Sequence, residues 1–97
     1  MQFSQQFDAK RGGSMKVWQE LWDAMDANPS EWIETTEKMY WDMLEVLPPR
    51  AQTQSAFLVG EANHHNSAGE AVYACFCETG DKYRAKYMTL KEFKGFA

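Results

Sequence analysis

His64-His65, Cys75 and Cys77 are the residues of this chain best suited to metal ligation or nucleophilic attack. Imidazole and thiolate are the common ligands of zinc, and a thiol beside a histidine is the pattern of an activated nucleophile. Their spacing speaks against both uses, because it matches no established zinc arrangement. The histidines fall in a turn-rich stretch and the thiols in the middle of an apolar run. At the strand rise per residue, Cys75 then lies roughly 24 Å along the ladder from His64. Buried structural cysteines and solvated histidines are expected, with no metal, cofactor or catalytic residue. A metal- or thiol-dependent site at Cys75/Cys77 is carried as the third reading. A bridge between the two thiols is disfavoured, since an i,i+2 pair on a strand places its Cα atoms roughly 6.5–7 Å apart.

Lys82, Arg84 and Lys86 alternate along a second candidate strand. Side chains two apart on a strand share a face, so the three cations form a row that can meet phosphate. With Phe76 as a stacking partner, this is a nucleic-acid surface. The competing reading is a solvated strand face balanced by Glu70 and Glu78. The overall acidity, −4 at neutral pH, weighs against nucleic acid.

Trp41 is the third candidate. It falls on the polar side of a helix, one turn from Glu37 and one turn from Glu45. An aromatic anchor ringed by acids fits a basic protein partner, since such residues dominate binding hot spots. From Lys16 to Glu45 eight acids face two bases, so Asp23 and Asp26 join Glu37 and Glu45 in this acidic surface. From Arg50 onward, six bases face five acids. The alternative for Trp41 is that it covers residues 31–34 or the N-terminal segment.

These residues need elements to hold them. Trp18, Leu21, Trp22 and Met25 follow the i, i+3, i+4, i+7 spacing of one helix face, from a cap at Ser14 to about Ala27. Asn28-Pro29-Ser30 ends that helix. Tyr40, Met43, Leu44 and Leu47 repeat the stripe, with Thr35 as cap and Pro48-Pro49 as stop. Residues 31–34 read equally as a short extended piece or a single turn. Ser55–Ala62, Glu70–Glu78 and Lys82–Met88 are strand-like, and a short helical turn is placed after Leu90.

The expected fold is therefore α+β, with two N-terminal helices packed on one face of a three-stranded antiparallel meander. Residues 1–14 read as a flexible tail ending in Gly-Gly-Ser, and 15–97 as a single domain. Pairing Ala62 with Glu70 and Glu78 with Lys82 sets the faces. Phe57, Val59, Tyr73, Cys75, Cys77, Tyr83, Ala85 and Tyr87 then turn toward the helices, while Phe76 joins the cation row outside.

A chain of 97 residues with 44% apolar side chains can sustain one modest core. The longest apolar run, Ala71 to Cys77, is far short of the roughly 20 residues that span a membrane. The first residues lack the basic start and apolar segment of a secretory signal. A cytoplasmic protein without membrane contact is expected. No phosphate loop, nucleophile elbow or paired carboxylates mark an enzyme.

Trp32-Ile-Glu34, then Thr35 through Met43-Leu-Glu-Val-Leu-Pro-Pro49, then Phe57-Leu-Val-Gly-Glu61 and a Val-Tyr-Ala-Cys-Phe strand, form a distinctive series. Over roughly residues 31–80 it resembles the bacterial domain of unknown function family one-four-one-nine. That family has no assigned activity or catalytic residues. Its members are small proteins encoded largely on plasmids and other mobile elements. The resemblance implies a non-enzymatic protein-binding module, such as an inhibitor of a host defence complex, whose partner is a host or element-encoded protein. Nucleic acid on the basic face is the runner-up, and a homodimer through a sheet face or edge strand is a further expectation.

Overall fold

The computed structural model describes residues 14–60 and 64–96, and the side chains among them from residue 16 onward. Apart from Ser14, the segment read as a flexible tail lies outside the described residues. The chain is α+β, with three helices and a five-stranded antiparallel sheet. In chain order the elements are α1 (Ser14–Ala27), β1 (Ile33–Thr35), α2 (Glu37–Val46), β2 (Ala51–Gln52), β3 (Ala56–Val59), β4 (Tyr73–Thr79), β5 (Lys82–Met88) and α3 (Leu90–Phe96).

Both helical stripes act as their spacing demands. Trp18, Leu21 and Met25 of α1 and Met39, Tyr40 and Met43 of α2 are buried in one cluster with Phe57, Phe76, Ala85 and Tyr87 of the sheet. The cap of α2 is Thr36 rather than Thr35, its hydroxyl accepting from the Met39 amide at 3.1 Å. Thr35 instead ends a strand.

The expected meander of three strands is too small. Residues 33–35 add an outer strand beside β5, with Ile33 opposite Ala85 and Thr35 opposite Tyr83. Residues 51–52 add another beside β3, giving the order β1-β5-β4-β3-β2. The turn expected after Leu90 is a full helix that packs Phe93 on the sheet face away from α1 and α2. Thr89 caps it reciprocally: its hydroxyl accepts from the Glu92 amide, and Glu92 accepts from the Thr89 amide.

Register is where expectation and structure part. Cys75 pairs with Leu58 and Lys86, one residue away from the expected alignment in each hairpin. A one-residue slip turns a whole strand over. Two successive slips cancel, so β3 and β5 keep their expected faces and β4 alone is inverted. Phe76 therefore lies under the helices, fully buried and stacked on Phe57 with ring centroids 5.5 Å apart. Cys75, Cys77 and Tyr73 face the other side, in a second cluster with Leu58, Met88 and Phe93.

The second slip has a local cause. Thr79 pairs with Lys82, which leaves a two-residue loop, Gly80-Asp81. Gly80 has φ +62, and no non-glycine residue among those described has positive φ. Positive φ at only the first central position is the signature of a II′ hairpin turn, which suits the twist of paired strands. A Cβ at Gly80 would meet no heavy atom within 4 Å, so Gly80→Ala tests backbone conformation alone. It should cost roughly 1–2 kcal/mol. Thermal melts should show this as a Tm lower by roughly 4–8 °C per kcal/mol.

Candidate functional site

The thiols and His64 are held on opposite sides of the sheet. Cys75 is fully buried in the second cluster and Cys77 nearly so, both free. Burial pushes the Cys75 thiol up to about 12, with Cys77 adding to the rise and Lys86 opposing it. A thiol so raised is a packing group rather than a nucleophile. His64 instead stacks against Trp22 and Tyr87 on the helix side. Among the described residues, no group of three or more His, Cys, Asp and Glu could hold a metal ion. No described helix is long and apolar enough to cross a membrane.

The cation row stands on the outer face, as its alternation requires. Lys82 is exposed, and Arg84 and Lys86 are half-buried. Phe76 is not beside them, because the inversion of β4 has placed it in the main core. The aromatic that accompanies the row is Trp32, whose ring lies 5.6 Å from the Lys86 ammonium and 5.6 Å from the Phe96 ring. Glu34 sits opposite Arg84 across the β1–β5 pairing and sets a negative charge against the row.

On α2, Trp41 leaves 48% of its surface exposed. Its ring meets Tyr40 edge-on at 5.0 Å. Tyr40 is itself wedged against Phe57 and Tyr83 at 5.1 and 5.2 Å, so the exposed indole rests on an anchored ring. Burial, reinforced by the charge of Glu78, raises the Tyr40 hydroxyl to about 12. Glu37 and Glu45 are exposed one turn to either side. Lys38, the sole cation of this helix, donates to Asp42 at 2.8 Å. Of the acids expected to extend this surface, Asp23 accepts from Gln19 at 2.9 Å, and Asp26 accepts from the Tyr87 hydroxyl.

That last contact belongs to a feature the sequence did not announce. A cleft of about 790 Å³ opens between α1, the Leu47–Arg50 connection and the ends of β3 and β4. Of the four aromatic side chains that line it, Trp22, His64, Tyr73 and Tyr87, three group together. Trp22 lies 6.4 Å from His64 and 6.3 Å from Tyr87, with His64 and Tyr87 5.6 Å apart. Trp22 stacks on both His64 and Tyr87, at 27° and 30°, while His64 and Tyr87 are tilted by 32°. Burial and the bond to Asp26 both push the Tyr87 hydroxyl up, so it stays protonated and donating. A smaller hollow of about 550 Å³ shares Asp26, His64, Val72 and Tyr87 and continues toward Lys86 and Glu92. Trp22 was legible as a stripe residue and His64 as a loop residue, but no local pattern brings them together.

The chain matches no protein-family model, no curated protein and no solved structure.

Proposed function

We propose that this protein is a non-enzymatic binding module that engages a basic partner protein through α2. Trp41 is the anchor, Glu37 and Glu45 are the flanking acids, and Asp23 and Asp26 of α1 extend the negative surface. The observation that carries this reading is the half-exposed indole of Trp41 between two exposed carboxylates. A large aromatic at the surface is the residue type that most often anchors a binding hot spot. Its support on Tyr40 limits the side-chain freedom lost on binding. The resemblance to a family of mobile-element accessory proteins supports a cytoplasmic setting and a host or element-encoded partner, such as a defence complex.

Nucleic acid on the outer face is less well supported, because Phe76 no longer stands beside Lys82, Arg84 and Lys86 and Glu34 opposes Arg84.

Trp41→Ala is the test. Affinity capture from host lysate with the wild-type protein should recover a partner that the variant recovers about 30-fold more weakly, the cost of a hot spot of about 2 kcal/mol. The variant should stay folded, with a Tm lowered by no more than about 4–8 °C, because the half-exposed indole gives up only its packing on Tyr40. Equal recovery would remove Trp41 as the anchor.

A further inference from the structure

We propose that the cleft walled by Trp22, His64 and Tyr87 is a small-molecule site for a planar heteroaromatic anion, the chemistry of a nucleoside monophosphate. This goes beyond the α2 surface and does not depend on it.

The cleft has the size and make-up of a ligand site. About 790 Å³ lies within the range that holds small ligands, and the lining mixes apolar and aromatic surface with the polar groups of Gln19, Asp26, Arg50 and His64. Leu47, Pro48 and Pro49 supply the rigid apolar part, and the stacked rings supply a flat one. Aromatic faces prefer offset stacking on another flat π-system, and base-on-aromatic stacking is sequence-tolerant. The ring arrangement matters for the choice of ligand. A cation cage needs ring faces turned inward around one point, whereas Trp22 stacks on both His64 and Tyr87, which are themselves tilted by 32°.

Arg50 sets the charge. Its Nε–H donates to the Gly60 carbonyl at 2.9 Å, and its guanidinium carbon lies 5.0 Å from the Tyr73 ring centroid. Both contacts fix the group in place and neither neutralises it. The four remaining N–H donors sit on the two Nη atoms, in the fork geometry that suits phosphate or carboxylate. Asp26 brings the opposing charge in the lining, and it is occupied as the acceptor of the Tyr87 hydroxyl. That carboxylate retains lone pairs for an N–H or O–H of the ligand, as a base amino group or a ribose would present. A flat wall, a fixed cation and a carboxylate acceptor together describe an aromatic anion that also carries donors.

The test follows the indole Nε1–H signals in ¹H–¹⁵N spectra of the full chain, with the Trp22 signal assigned by its loss in Trp22→Phe. AMP and UMP should shift the Trp22 signal in a saturable way, with adenosine, inorganic phosphate and tryptamine as comparison probes. Arg50→Gln removes the charge and the guanidinium fork while leaving a shorter, polar side chain. It should weaken AMP about 10-fold or more, the value of a charge-assisted hydrogen bond. Adenosine should change less than about twofold, a contrast that general damage to the fold would not produce. A Trp22 signal unmoved by millimolar AMP and UMP would overturn the proposal. So would equal AMP binding by Arg50→Gln, or tighter binding of tryptamine, which would mark the site as cation-selective. None of these outcomes touches the Trp41 reading, which is scored on the partner protein.

Discussion

Phe76→Ala is expected to cost about 3–5 kcal/mol, the usual penalty for emptying a buried aromatic position. Small domains have about 5–15 kcal/mol in hand, so the variant should lose a large share of its stability and melt well below the wild type. The reason is the inversion of β4. Phe76 is fully buried, stacked on Phe57 at an interplanar angle of 11°, in the cluster that also receives α1 and α2. Were β4 aligned one residue earlier, Phe76 would lie in the thinner second cluster with Leu58, Met88 and Phe93, and its truncation would cost less. Cys77→Ala is the matched control, since Cys77 lies at the margin of the thinner cluster and is 7% exposed. Urea denaturation of both should give a loss for Phe76→Ala at least twice that for Cys77→Ala. Equal losses would contradict the register.

Raising the pH above about 9 should destabilise the fold. Burial lifts the Cys75 thiol from 9.0 and the Tyr40 hydroxyl from 10.0, each to about 12, and Tyr87 rises as well. The folded pKa of each group is above its unfolded value. Between pH 9 and 12 the unfolded chain thus sheds protons that the folded chain retains, and stability falls as pH rises. The contribution is fully present at pH 8 and is lost as pH climbs through the folded values. Each group adds a slope that approaches roughly 1 kcal/mol per pH unit inside its window. Melting temperature recorded from pH 8 to 11 should fall progressively above pH 9, and Cys75→Ala should blunt the onset. A Tm that stays level to pH 11 would show that these groups are not held protonated by the fold.

Much of the fold was legible because its signals are local. The stripe Trp18, Leu21, Trp22, Met25 needs only a periodicity of 3.6, and the burial of α1 follows from it. Pro48-Pro49 likewise stops α2 without reference to the rest of the chain. Within β3 and β5 the alternation is correct residue by residue. The outer strands escaped notice because three residues at β1 and two at β2 are too few for any period to show. Register escaped because it rests on how a turn closes: the chain Thr79-Gly80-Asp81 permits a three-residue or a two-residue loop, and the structure takes the shorter. Trp41 was found from its position off the helical stripe. The cleft was not found, since Trp22, His64 and Tyr87 meet only after α1, the β3–β4 connection and β5 are assembled.

The brevity of β1 and β2 also governs how copies of this chain behave when concentrated. A visiting strand can extend a sheet only along the unsatisfied amides and carbonyls of its border, and here the two borders measure three and two residues. Glu34, at the centre of β1, adds a carboxylate that would face its own duplicate in an antiparallel encounter centred there. Such borders are poor seeds for fibril growth, so clumping on heating should proceed from opened cores rather than from intact molecules adding rim to rim.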